Sequence, residues 1–298
     1  MGFALVFPPG AKQPKYGRIE EYLYFMRTIV HFSDIHFGKF DPSCTEPLLK
    51  EIQKISPDLI VISGDLTQRA RVKEFLAARD FLKKLEKPYL VIPGNHDIRP
   101  LYSPISRIID PYDRYKKYIS ETLDPVYADD EIALATIRTV RSSAIKDGRV
   151  NKRQVERARN FLEGFEEDRT KIIVTHHPFD LPMKFPDRKL ARKAKLAVSE
   201  LSEVGTDLFM AGHYHTSSTS HTAIRYKING YAAVAVQAGT VSMRQRGQTQ
   251  TFNVITVNRP HIIVDTYFWV PGEKKFHKFE TKKFSQTKTG WVHNDQNQ

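Results

Sequence analysis

The sequence predicts a mixed α/β domain in which helical crossovers come first and successive strands come later. Three observations carry this. Residues 28–92 alternate short apolar, β-rich runs with helical patterns that have one apolar face. Beyond residue 220 the pattern changes to strand-like runs in succession. The chain of 298 residues is 40% hydrophobic, which excludes wholesale disorder and suits a substantial core.

In chain order, residues 28–32 form a first apolar run. A helix comes next, with Leu48, Ile52 and Ile55 on one face and a stop near Pro57. Residues 59–62 read as a second buried strand. Phe75, Ala78, Leu82 and Leu85 mark a second helix, and 89–92 a third strand ended by Pro93-Gly94. This βαβαβ order predicts parallel strands with helical crossovers. Residues 112–119 are Tyr-rich and helical, and 131–140 read as a strand. Asn151 with Gln154 resembles a capping pair ahead of a helix over 155–165. Short strands are expected at 171–175 and 207–210, then at 223–228, 232–236, 252–257 and 262–269. Residues 1–25, with Pro8, Pro9, Gly10 and Pro14, read as an extension outside the core. The domain is expected over 26–270, and 271–298 as a basic tail or edge strand.

Charge and composition narrow the function classes. Lys and Arg number 46 against 34 Asp and Glu, a net +12, so an anionic partner is favoured: nucleic acid, an acidic membrane surface or a phosphorylated substrate. Cys44 is the single cysteine, which excludes an intrachain disulfide and a cysteine zinc cluster and fits a reducing compartment. No apolar run approaches the ~18–20 residues of a membrane span.

The informative feature is the polar loop at the end of each apolar run. Residues 28–32 lead into Ser33-Asp34-Ile35-His36, and 59–62 into Gly64-Asp65. Residues 89–92 lead into Gly94-Asn95-His96-Asp97, 171–175 into His176-His177-Pro178, and 208–210 into Gly212-His213-Tyr214-His215. Open α/β sheets carry their sites at the carboxyl ends of strands, so five polar loops should converge on one rim. Each motif alone is weak, because a Gly-Asp after a strand is often only a turn. The ordered series is specific. Its carboxylates, imidazoles and amide form an N/O donor set suited to first-row metals. Seven candidate ligands exceed the needs of one tetrahedral ion, and two ions sharing a carboxylate would use them all.

The series DxH, GDLT, GNHD, HHP and GHYH resembles the signature of the calcineurin-like metallophosphoesterase superfamily, in the style of its bacterial branch similar to cyclic-AMP phosphodiesterases. The resemblance spans roughly residues 26 to 270. It implies a four-layer α/β/β/α sandwich of two mixed sheets flanked by helices, around a dinuclear site at the strand ends. By motif match, Asp34, His36 and His215 would hold one ion, Asn95, His176 and His213 the other, and Asp65 would bridge. Manganese or iron is the implied metal, in divalent or mixed-valence pairs, with zinc an alternative. The implied reaction is attack of a metal-bridging hydroxide on a phosphodiester. Asn95 would stabilise the equatorial oxygens, and His96 the transition state or the leaving group. Asp97 is a candidate to orient the His96 ring.

Several positions stay open at this level. The HHP form favours His176 over His177 as ligand, leaving His177 for a hydrogen bond or for substrate. Arg69 and Arg99 come after two of the loops, where each is either a phosphate contact or a solvated arginine. Residues 181–195, rich in Lys and Arg, are expected beside the site, as a grip for a polyanion or an anionic membrane, or as a solvated face. The leading reading is a cytoplasmic phosphodiesterase for a small nucleotide-like, cyclic-nucleotide-type ester. Alternatives are a pyrophosphohydrolase of a lipid-linked nucleotide sugar peripheral to the inner face of the membrane, then a nuclease. Last is a non-catalytic binding scaffold. Nucleic acid ranks low among partners, because no extra DNA-capping domain is evident. The sequence is silent on oligomeric state.

Overall fold

The computed structural model describes residues 26–100, 103–143, 147–226, 231–244 and 247–294. Strands β1 (Arg27–Phe32), β2 (Leu59–Ile62) and β3 (Tyr89–Val91) pair in parallel, connected by helices α1 (Pro42–Ile55) and α2 (Val72–Lys83). Helices α3 (Pro104–Ile109) and α4 (Asp113–Tyr118) lead to strands β4 (Val126–Ala128) and β5 (Ile132–Thr136). Then come α5 (Lys152–Glu163), β6 (Thr170–Thr175), α6 (Ala194–Ser202) and β7 (Leu208–Ala211). The chain closes with β8 (Ser218–His221), α7 (Thr222–Tyr226), β9 (Val234–Gln237), β10 (Thr251–Asn258), β11 (His261–Val270), β12 (Lys275–Thr287) and β13 (Gly290–His293).

One sheet has the order β13-β12-β11-β10-β1-β2-β3 and the other β4-β5-β6-β7-β9-β8. Strand alternation sorts the apolar side chains into layers. Ile29, Leu59 and Val61 of the first sheet meet Leu134, Ile172 and Val174 of the second in an inter-sheet core. Val30, Phe32, Ile60 and Ile62 face the other way, onto Leu48 and Ile52 of α1 and Phe75 and Leu82 of α2. Ala133, Ala135 and Ile173 pack on Val155 of α5 and Val198 of α6. The result is the expected four-layer α/β/β/α sandwich, with the central parallel strands β1, β2, β5 and β6 buried on both faces.

The capping pair is present: the Asn151 side chain accepts from the Gln154 N–H, and the Gln154 side chain accepts from the Asn151 N–H. One expectation needs correction. Where a strand was expected at 223–228, Thr222–Tyr226 is helical, and 227 and 228 lie outside the described residues. Arg225 and Tyr226 both bond the 179–187 segment, and adjacent residues can serve one neighbour from a helix but face apart in a strand. The stretch 271–298 supplies two strands of the large sheet. β12 is interior, paired with β11 and β13, and β13 is the edge, with Phe284 and Trp291 buried in the inter-sheet core. Exposed lysines along β12 give the stretch its tail-like composition. The expected extension 1–25 lies outside the described residues.

Candidate metal centre

The polar loops gather at the carboxyl ends of the central strands of both sheets. The backbone there is unusual: Asp34, His36, Asp65, His213 and His215 all have positive φ, between 50° and 81°. That region costs a residue with a Cβ roughly 1–2 kcal/mol, so each side chain is turned into the rim at a conformational expense. Close packing also demands glycine, since a Cβ at Gly94 would collide with the Asp65 carboxylate.

Two donor clusters adjoin. In the first, His36 Nε2 lies 3.2 Å from His215 Nε2, and Asp34 Oδ1 lies 3.1 Å from His215 Nε2 and 3.6 Å from His36 Nε2. His36 Nδ1 is bonded to the Thr67 carbonyl and His215 Nδ1 to the Arg244 carbonyl. A carbonyl only accepts, so each Nδ1 donates and each neutral ring presents a lone pair at Nε2. Asp34 Oδ1 is buried and has no hydrogen-bond donor. Two nitrogen lone pairs and a carboxylate oxygen therefore face one another, an arrangement that a cation resolves.

In the second cluster, His176 Nδ1 donates to the Ser63 carbonyl, leaving Nε2 3.1 Å from Asn95 Oδ1 and 3.5 Å from Asp65 Oδ1. His213 Nδ1 lies 3.1 Å from the same Asn95 oxygen. Asp65 is shared: it groups with His36 and His96 on one side and with Asp34 and His176 on the other. The structure thus brings together Asp34, His36, Asp65, Asn95, His176, His213 and His215.

Electrostatics favour ionised carboxylates. Burial works against the charge of Asp34, yet the neighbouring His215, His36 and His176 hold the pKa well below the usual range. Asp65 is likewise lowered against burial, by His176, His96 and His36. Burial lowers the His36 pKa against the pull of Asp34 and Asp65. For His215, burial opposes a second proton, but Asp34 outweighs it and raises the pKa; a cation at Nε2 would take the place of that proton.

The remaining expected residues fall in different places. His96 lines the cavity, and its Nδ1 is held by the Gln68 carbonyl at 2.7 Å. Asp97 does not touch that ring. It accepts from the N–H groups of Leu66, Thr67 and Gly94 and from the Thr67 hydroxyl, tying two loops together. Burial and the Asp65 charge push its pKa up to about 6, against those donors. His177 is buried, its Nδ1 2.8 Å from Thr139 Oγ1. Arg99 forms a two-pronged pair with Asp113, which engages its guanidinium away from the cavity. Arg69 lines a neighbouring cavity with Lys39 and Arg71.

Above the donors lies a cavity of about 290 Å³. Sequence reasoning missed Arg244 in its wall, whose Nη1 lies 3.1 Å from His96 Nε2 and 3.3 Å from His36 Nε2. It also missed Tyr214 as a wall residue. Arg188 and Lys189 bring the basic 181–195 segment to the same wall. Arg225 fixes that segment. Its side chain is 6% exposed, pairs with Asp180 and Asp187, and donates to the carbonyls of Leu181, Pro182 and Phe185.

A family model described as calcineurin-like phosphoesterase matches residues 27–217, from the first strand through the loop that carries His213 and His215. The chain belongs to that family. Among curated relatives, the glycerophosphodiester phosphodiesterase GpdQ of Enterobacter lignolyticus is 35% identical over 80 residues, covering 27% of each chain. The 3',5'-cyclic adenosine monophosphate phosphodiesterase CpdA of Haemophilus influenzae is 23% identical over 209 residues, covering 66% of this chain and 67% of that one. Over the first of these, the chain spans well under two thirds of the relative's length. The purple acid phosphatase PPD1 of yellow lupin shares the fold with a TM-score of 0.64 at 13% identity, over 88% of this chain and 54% of that one. Among the described residues, no helix is long and apolar enough to cross a membrane.

Proposed function

We propose that this protein is a dinuclear-metal phosphodiesterase that hydrolyses nucleotide-like phosphodiesters. The observation that carries the reading is the shared carboxylate: Asp65 belongs to donor groups on both sides. In this reading Asp34, His36 and His215 would hold one ion, Asn95, His176 and His213 the other, and Asp65 would be shared between them. Manganese or iron suits this N/O set, with zinc the alternative. Such a pair supplies a nucleophilic water at neutral pH and charge stabilisation for in-line displacement.

The chain's own groups do the rest. With Nδ1 donating to the Gln68 carbonyl, His96 has only Nε2 to exchange a proton with the leaving oxygen. Arg244, whose Nη1 lies 3.1 Å from that nitrogen, would turn to a non-bridging phosphoryl oxygen as substrate enters, freeing Nε2 for the proton. Buried Thr67 and Asp97 keep the His96 loop registered on the Asp65 loop. The names of the curated relatives, which act on glycerophosphodiesters and on a cyclic nucleotide, support a diester over a monoester. A cytoplasmic setting accompanies this reading.

A second reading is favoured by the basic segment at the cavity wall: a pyrophosphohydrolase of a lipid-linked nucleotide sugar, docked on an anionic membrane surface. The deciding experiment is a panel with added manganese: a phosphomonoester, bis(p-nitrophenyl) phosphate, cyclic AMP and a nucleotide-sugar lipid with and without liposomes. Turnover of the diester without lipid supports the first reading, and strict liposome dependence the second. Asp65→Asn should lower turnover by about 10²–10³-fold, the scale of losing one group that organises transition-state charge. Metal content measured by mass spectrometry should fall with it. Unchanged turnover would sink the two-ion scheme.

A further inference from the structure

Two cavities meet at one arginine. The first, over the donors, carries Arg188 and Lys189. The second, of about 370 Å³, carries Lys39, Arg69 and Arg71. Arg244 lines both, and bonds His96 where they join. Cations therefore flank the reaction centre on two sides, with Arg244 as the link.

The carboxylates present do not cancel this charge. Glu74, in the second cavity, is buried and accepts from the N–H groups of Arg69 and Arg71, so its charge is spent on capping α2. Asp187 is engaged by Arg225. The first cavity wall holds two acids, Asp147 and Asp65, and Asp65 belongs to the metal-donor groups. Among the described residues, no carboxylate lies within ion-pair distance of Lys39, Arg69, Arg71, Arg188, Lys189 or Arg244.

A lone phosphodiester carries one negative charge, and it needs none of these outer cations. Two divalent ions already outweigh the carboxylates of Asp34 and Asp65. Cations on both sides of the centre answer a substrate with charge on both sides of the scissile bond. In the first cavity Lys189 is held over the Tyr214 ring, its Nζ 5.3 Å from the centroid, which fixes that cation at the wall.

We propose that the substrate is a linear oligonucleotide-like ester, gripped through phosphates on both sides of the bond that is cut. The proposal rests on the phosphodiesterase reading and narrows it, away from a cyclic mononucleotide. Phosphate groups spaced along a chain are also the chemistry of inorganic polyphosphate, so the test separates the two.

The full chain, with manganese, is assayed on bis(p-nitrophenyl) phosphate, cyclic AMP, the dinucleotide TpT, the trinucleotide pTpTpT and hexathymidylate. kcat/KM should rise about tenfold or more from TpT to pTpTpT, equivalent to ~1.4 kcal/mol of added grip. For two flanking phosphates, the single-strand slope of about −0.7 per contact means a fivefold rise in salt costs roughly tenfold. A binding arm is independent of turnover: fluorescence anisotropy with a labelled phosphorothioate hexathymidylate, which resists cleavage. K39A with R71A, and separately R188A with K189A, should each weaken binding about tenfold. R71K and R188K should bind like the parent, and thermal melting confirms that every variant is folded.

Equal kcat/KM for TpT and pTpTpT, or salt-independent binding, overturns the proposal. So does equal loss in K83A with K84A, an exposed pair at the end of α2 away from the site loops, which reports general surface charge. Displacement of the probe by polyphosphate at lower concentration than by unlabelled hexathymidylate overturns the nucleotide assignment. Failure to hydrolyse bis(p-nitrophenyl) phosphate strikes the phosphodiesterase reading alone, because the anisotropy arm still reports the grip.

Discussion

Arg225→Ala removes the anchor beneath the cavity wall. The guanidinium pairs with Asp180 at 3.1 Å, and the Asp180 side chain is only 2% exposed. Three main-chain carbonyls, of Leu181, Pro182 and Phe185, also lose their donor. Removing one partner of a buried pair costs about 3–5 kcal/mol. At roughly 2 °C per kcal/mol for a chain of this size, the melting midpoint should drop by about 6–10 °C near neutral pH. The loss depends on pH, with a defined sign. Burial pushes Asp180 up to about 6, while Arg225 pulls it down. A carboxylate whose pKa folding raises holds its proton more tightly in the native state. Stability is therefore lost as pH rises from the unfolded value through the folded one. Without Arg225 the folded pKa climbs further, so the deficit is largest at neutral pH and shrinks on acidification. Differential scanning calorimetry across that range reads it directly. An unchanged midpoint, or a deficit that grows as the pH falls, would refute the reasoning.

Three other perturbations have definite expectations. Arg244→Ala should lower kcat/KM for bis(p-nitrophenyl) phosphate about 10–100-fold, as loss of a charge-assisted contact of about 1.5–3 kcal/mol implies, with partial recovery in Arg244→Lys. Asp97→Asn sets an N–H₂ against backbone N–H groups and should cost about 1–3 kcal/mol of stability, seen by chemical denaturation. Gly94→Ala drives a methyl into the Asp65 carboxylate; an overpacking cost of about 1–3 kcal/mol should accompany reduced metal content in mass spectrometry.

Much of the architecture was legible because it is locally written. Leu48 and Ile52, or Phe75 and Leu82, recur at helical spacing whatever the rest of the chain does, and the run 59–62 is apolar throughout. The seven donors could be read because each comes just after such a run, and strand ends are where polar loops converge. α7 was misread because Ala223 to Tyr226 carries no helical period in so short a stretch. Its helicity comes from Arg225 and Tyr226 reaching a segment some 40 positions earlier in the chain. Arg244 escaped for a related reason: its partner His96 is 148 residues away, and no local pattern announces that meeting. Arg99, by contrast, looked well placed in the chain, yet a nearby acid, Asp113, claims it.

The left-handed backbone at Asp34, His36, Asp65, His213 and His215 has an evolutionary corollary. At each of these positions glycine would relieve about 1 kcal/mol of backbone penalty. Folding alone would therefore favour drift towards glycine in a descendant freed from its chemistry. A lineage that surrendered catalysis should lose these five side chains first and grow more stable as it did so.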